Sequence, residues 1–371
     1  MIIEAGHVVT ANGLLAPGWV QIEGDRIIQA GGGQAPSAPD ERHPNMWLAP
    51  GYVDVHVHGG GGSSFSTTSD REISRVLAAH RARGTTTMVA SLVTASPDEL
   101  RRQVAALAAR VHIGDLAGIH LEGPWLNPER KGAHEAGLLA DPDLDLIAEL
   151  LDAANGAIRM VTLAPELPNG VEATELLVSR GVVVAVGHTG ATYAECQAAI
   201  NAGARGATHL FNAMPPLHHR NPGPILALLT DPRVHVELVF DNVHVDPELA
   251  VFALRTAGAR GVLVTDAMAA AGQPDGHYRL GSLDVTVTDG VAVLTGSDTI
   301  AGSTLTLDAA VRNAHAAGLT PVEAIQAATC QPADYLDLAD VGRLEAGFRA
   351  DMVMLDNELR VRRVMMNGVW L

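Results

Sequence analysis

Short apolar runs recur through the middle of the chain, each followed by a longer stretch with helical spacing. The runs lie at Val53–Val57, Thr86–Val93, Gly118–Leu121, Ile158–Leu163, Val182–Val186, Ala207–Leu210, Val234–Phe240 and Val262–Thr265. Helical patterns separate several of them, as at Asp70–Arg83, Pro97–Val111, Ala191–Asn201 and Pro247–Thr256. Strands that alternate with helices in this number predict an α/β fold, a (β/α)₈ barrel of the TIM type. Both ends of the chain read differently. Gly6–Thr10, Trp19–Glu23 and Ile27–Ala30 are short strands around the turn signals Asn12-Gly13 and Gly24-Asp25. Asp351–Leu355, Val364–Met366 and Val369–Leu371 repeat that pattern, with Asn367-Gly368 as a hairpin turn. A small β-sandwich domain built from residues 1–49 and 341–371 is expected, with the barrel at 50–340. A β-rich patch at Tyr278–Leu294 reads as an insertion after the eighth strand.

Polar residues fall where such a barrel keeps its chemistry, at the C-terminal ends of the strands. The first strand ends Asp54-Val55-His56-Val57-His58, followed by Gly59–Gly62. Side chains alternate along a strand, so His56 and His58 share a face and can hold one metal ion. The third ends His120-Leu121-Glu122. Glu122 at the end of an apolar strand needs a cation to offset its burial. His120 lies deeper on the same face and reads as supporting. The fifth and sixth bring His188 and His209. Either alone reads as a core histidine; beside the others they read as ligands. Imidazole and carboxylate together suit zinc, iron and similar metals. Asp266 follows the eighth strand directly, where it can bind metal or accept a proton; its plainer reading is a helix N-cap.

Composition narrows the partners. Lys and Arg number 25 against 42 Asp and Glu, a formal charge of −17. That balance argues against a nucleic-acid partner and requires local positive charge if the substrate is an anion. Apolar residues make up 47% and aromatics 4%, so the core is mostly aliphatic. The two cysteines, Cys196 and Cys330, have neither metal nor disulfide spacing. No basic-then-apolar leader opens the chain, and no uncharged apolar run reaches the roughly 18 residues of a membrane helix. A cytoplasmic protein without a membrane partner is expected.

These residues together resemble the amidohydrolase superfamily and, more narrowly, the N-acetylglucosamine-6-phosphate deacetylases. The resemblance runs in order through residues 50–56, His120-Leu121-Glu122-Gly123-Pro124, Lys131-Gly132-Ala133-His134, Gly187-His188-Thr189, Thr208-His209-Leu210-Phe211-Asn212-Ala213-Met214, His244, Thr265-Asp266-Ala267-Met268 and Ala301-Gly302-Ser303. It implies a barrel plus a small domain from both termini, in agreement with the pattern above. It implies one or two divalent metals per subunit, zinc ahead of iron or another transition metal. Glu122, His188 and His209 are the implied ligands of the main metal. His56, His58, Glu122 and Asp266 are those of a second. Asp266 is implied as catalytic acid and base, and His244 as the group that polarises the acetyl carbonyl. His134 is expected against the substrate, with Ala133, Ile300, Ala301 and Gly302 around the sugar. Asn212, the Ala213 backbone and Arg220 are expected at the phosphate. In similar proteins the arginine comes from a neighbouring subunit, so a homodimer is expected. This chain has Asn242 where the family more often has glycine.

The implied reaction is removal of the N-acetyl group from N-acetyl-D-glucosamine 6-phosphate. Two alternatives stay open: another amidohydrolase acting on a different N-acyl or cyclic amide, and a non-catalytic sugar-phosphate binder. Many enzymes of the first kind bridge two metals with a modified lysine on the fourth strand, and Ile158–Pro165 has no lysine. The second kind is expected to lack a ligand or the acid/base, and none is missing here.

Overall fold

The computed structural model describes residues 1–371. Eight parallel strands stand in chain order around a barrel: Tyr52–Val57, Thr85–Leu92, Gly118–Glu122, Ile158–Leu163, Val183–Val186, Gly206–Ala207, His235–Val239 and Gly261–Val264. Helices Asp70–Arg81, Pro97–His112, Leu144–Ala154, Gly170–Ser179, Tyr193–Asn201, Gly223–Thr230, Pro247–Ala257 and Leu307–Ala316 follow them in turn. The first, second and fifth strands are buried at every position, as parallel strands covered on both faces must be. Hydrogen bonds close the ring. Asp266 N donates to His56 O at 2.9 Å and His58 N to Ala267 O at 2.8 Å. The Thr265 hydroxyl donates to the buried Asp54 carboxylate at 2.6 Å.

One element starts later and another stops earlier than the apolar pattern predicts. The helix expected from Ala191 begins at Tyr193, because Thr192 and Glu195 form a reciprocal capping box. The sixth strand ends at Ala207 rather than Leu210. There the chain turns sharply, with positive φ at His209, Phe211 and Ala213.

The terminal strands form one eight-stranded sheet with its own apolar cluster, including Ile3, Val20, Ile27, Met352 and Met365. Its centre is Glu41–Pro50, a strand that its polar residues and Pro44 hide from a sequence reading. This strand pairs in parallel with Ile2–Thr10 and antiparallel with Met352–Leu355, so it joins the two ends of the chain. The pairing slips at Gly6, where a Cβ would stand 2.1 Å from Pro44 O; only glycine allows that approach. Three antiparallel strands, Gly276–Leu280, Leu283–Thr288 and Val291–Leu294, form the insertion between the eighth barrel strand and its helix. They pack through Leu280 and Val285 on Val93, Met268 and Ala301 beside the barrel mouth.

Candidate active site and metal centre

Glu122 closes the third strand, and its two carboxylate oxygens face two sets of side chains. Oε1 is 3.2 Å from His188 Nε2 and 3.1 Å from His209 Nε2, and these two nitrogens are 3.0 Å apart. Oε2 is 3.1 Å from His58 Nε2. His58 Nε2 in turn lies 3.2 Å from Asp266 Oδ1 and 3.1 Å from His56 Nε2. All six side chains are buried. One donor atom from each of His56, His58 and Asp266 lies within 4.8 Å of the others. The same holds for Glu122, His134 and His188. The strand ends therefore bring the sequence-predicted ligands together, and His134 joins them.

For two of the rings, hydrogen bonds at the far side decide which nitrogen faces inward bare. His188 Nδ1 meets Arg130 O at 2.8 Å, and a carbonyl only accepts, so Nδ1 carries the proton. His188 Nε2 then presents a lone pair to a carboxylate oxygen and a second imidazole nitrogen. His56 repeats the arrangement, with Nδ1 3.0 Å from Glu237 Oε2. Lone pairs pointed at carboxylates repel unless positive charge lies between them, so this donor set fits a divalent metal. The field has the same sense. Burial alone lowers the proton affinity of the His56 imidazole, yet Glu122 and Asp266 raise it well above its usual value. Burial likewise pushes the Glu122 carboxyl up, and His56 with the other histidines holds it well below the usual carboxylate range.

His134 differs in its tautomer. Its Nδ1 lies 3.4 Å from Thr94 N, which can only donate, so the proton belongs on Nε2. Burial lowers its pKa to about 4, which keeps the ring neutral. His134 thus offers an N–H at the cavity, 3.5 Å from Glu122 Oε2. His244 is held by Asp241, whose Oδ2 meets Nδ1 at 2.7 Å. Burial opposes a charged His244, but the Asp241 hydrogen bond outweighs it and the pKa rises. His244 Nε2 stands 3.9 Å from Asp266 Oδ2 across the floor of the site.

Above these groups opens a cavity of about 360 Å³. Ala133, His134, Asn212, Ala213, His244, Ile300 and Gly302 line it. Ala301 is fully buried and does not line the cavity. Arg220 is exposed on a loop outside the cavity, with its guanidinium 2.8 Å from His219 Nε2. Sequence reading missed Glu129 and Arg130, which also line the cavity, and Leu280, Asp298 and Thr299 from the insertion and the loop after it. It also missed Glu237, Asp241 and Thr94, whose roles depend on pairings across the fold. His120 hydrogen-bonds to Ser91 and Thr162 at 2.9 and 2.8 Å, one layer below the candidate ligands. Backbone strain concentrates here. His188, His209, Ala213, Asn242 and Asp266 all have φ between 28° and 64°, a region that costs non-glycine residues about 1–3 kcal/mol each.

Residues 47–371 match the amidohydrolase family. An N-acetylgalactosamine-6-phosphate deacetylase of Escherichia coli O157:H7 is 38% identical over 98% of each chain. An N-acetylglucosamine-6-phosphate deacetylase of Lysinibacillus sphaericus is 34% identical over 87% of this chain and 84% of its own. A mutant N-acetyl-D-glucosamine-6-phosphate deacetylase of Mycobacterium smegmatis, solved in complex with N-acetyl-D-glucosamine 6-phosphate, superposes with a TM-score of 0.97. It is 48% identical, covering 100% of this chain and 98% of that one. With the barrel, the converging histidine and carboxylate side chains and these relatives in place, the chain belongs to the amidohydrolase family and, within it, to the N-acetylglucosamine-6-phosphate deacetylases.

Proposed function

We propose that the protein hydrolyses the N-acetyl group of N-acetyl-D-glucosamine 6-phosphate to give D-glucosamine 6-phosphate and acetate. One observation carries this reading: a base candidate, Asp266, and a donor candidate, His244, face each other across 3.9 Å beneath a cavity of sugar size. Glu122, His188 and His209 would hold the main divalent metal, zinc in this reading. His56, His58, Glu122 and Asp266 would hold a second. Such a metal, when bound, supplies positive charge for the developing oxyanion and makes water more acidic. Asp266 takes the proton from the attacking water as it adds to the acetyl carbon. His244, whose protonated form Asp241 favours, donates from Nε2 to the acetyl oxygen and stabilises the negative charge that forms there. His134 donates from Nε2 to the substrate. Asp266 then returns its proton to the departing amine, so one carboxylate acts first as base and then as acid.

The phosphate would meet Asn212, the Ala213 backbone and, across a homodimer interface, the partner's Arg220. An exposed arginine on a loop beside exposed Leu217 suits such an interface. Residues 1–49 and 341–371 would form the small domain, and a cytoplasmic location fits the anionic sugar substrate. No helix is long and apolar enough to cross a membrane.

A second reading, the galactosamine epimer, is favoured by the relative from Escherichia coli O157:H7. The test is acetate release from the two N-acetylhexosamine 6-phosphates in parallel. The proposal expects the gluco substrate to have the higher kcat/KM; a preference for the galacto epimer transfers the assignment to it.

A further inference from the structure

A fully buried carboxylate in the barrel interior has no part in the chemistry above. Glu237 is the third residue of the seventh barrel strand and has no solvent exposure. Its Oε2 accepts from His56 Nδ1 at 3.0 Å, and its Oε1 accepts from the Tyr335 hydroxyl at 3.2 Å. Tyr335 is itself fully buried at the end of the helix Cys330–Tyr335. Its hydroxyl fits only because residue 206 is glycine: a Cβ there would stand 1.9 Å from the tyrosine oxygen. His235 stacks on the Tyr335 ring, with centroids 5.0 Å apart. Ring, hydroxyl and carboxylate therefore form a fixed chain that ends on His56.

The other ligand candidates lack such a support. His188 leans on a neutral carbonyl, and the Nδ1 atoms of His58 and His209 are buried without a partner. A carboxylate behind one imidazole orients that ring, fixes its tautomer and makes its inner nitrogen a better donor. We propose that Glu237, held by Tyr335, is a positioning residue that selectively strengthens the His56–His58–Asp266 pole as a second metal position. The inference rests on the metal-centre reading above and adds that the two positions are tuned separately, with Glu237 acting on one.

The test is metal binding, measured without turnover. Metal-stripped wild-type protein is titrated with Co(II), read by visible absorption, and with Zn(II) against a competing chelator. The same is done for Glu237→Leu combined with Tyr335→Phe, which leaves no stranded hydroxyl, and for Glu237→Gln, which keeps the volume should the first variant misfold. Wild type is expected to take two equivalents. The double variant should bind the second about 10–100-fold more weakly and the first within about threefold, the usual scale for loss of an outer hydrogen-bond partner. Glu237→Gln should fall between, since its amide oxygen still accepts from His56. His56→Asn marks the second equivalent independently. Unchanged affinity for the second equivalent in both Glu237 variants overturns the proposal. So does an equal loss at both positions, which indicates a merely structural role, and so does a wild type that takes only one. Failure of wild-type protein to bind any dication contradicts the metal-centre reading itself.

Discussion

At the residue scale, the site depends on a few atoms whose surroundings fix their chemistry. Asp266 sits between the imidazoles of His58 and His244, 3.2 and 3.9 Å away. Its carboxyl is held below the usual range: burial pushes it up, and His56 and His58 outweigh that push. Asp266→Asn keeps the shape and removes the proton acceptor. Turnover should fall by at least about 100-fold, while equilibrium dialysis still detects substrate binding. Near-normal turnover would assign the base elsewhere. The cysteines give a contrasting prediction. Cys196 is fully buried, and burial, with Glu166 and Glu195 nearby, pushes its thiol up to about 12. Iodoacetamide at neutral pH should leave Cys196 unlabelled in the folded protein and label it after denaturation; rapid native labelling contradicts the described packing. Most of this scale was legible in the sequence, because polar residues that close apolar strands stand out. Glu237 and Asp241 were not. Glu237 lies mid-strand, and its partner His56 is 181 positions away, a pairing that only barrel closure creates. Asp241 precedes His244 by three residues in a loop whose turn carries no distinctive pattern.

At the element scale, loops as well as strand ends position the candidate ligands. The fourth strand carries no ligand, yet Glu166 beyond its end ties two others together. Its carboxylate accepts from Asn127 Nδ2 at 2.8 Å, in the loop after the third strand. It also accepts from the Thr189 hydroxyl at 2.5 Å and Gly190 N at 2.6 Å, beside His188. Glu166→Ala should therefore loosen the His188 loop and weaken the main metal by about tenfold, measured by chelator competition. An unchanged affinity shows that the strained His188 backbone is held by other contacts. The eight barrel strands were readable as apolar runs. The helices Leu144–Ala154, Gly170–Ser179, Gly223–Thr230 and Leu307–Ala316 are less legible in the sequence. In Gly223–Thr230 the apolar residues nearly surround the axis, and six of its eight residues are buried, so it shows little one-sided period. Strand Glu41–Pro50 was hidden for the opposite reason, since its exposed half is polar and interrupted by proline.

At the scale of the whole molecule, a chain of formal charge −17 is proposed to capture a phosphorylated sugar. Positive charge must be local, and Arg130 is the one arginine that lines the cavity. The proposal draws a second arginine, Arg220, from the partner subunit. Arg220→Ala should raise KM for the phosphorylated sugar by an amount equivalent to about 1.5–3 kcal/mol, and leave the slow reaction of the unphosphorylated sugar nearly unchanged. Mixed dimers of Arg220→Ala and Asp266→Asn subunits should regain activity, because one site then has both groups. No gain after proven subunit exchange rules out the contribution in trans. The most direct test of the whole account follows acetate release from N-acetyl-D-glucosamine 6-phosphate while metal-stripped protein is titrated with Zn(II). The account predicts no release at zero metal and a rise that saturates at one or two equivalents. Full activity in verified metal-free protein, or none in fully loaded protein, contradicts it.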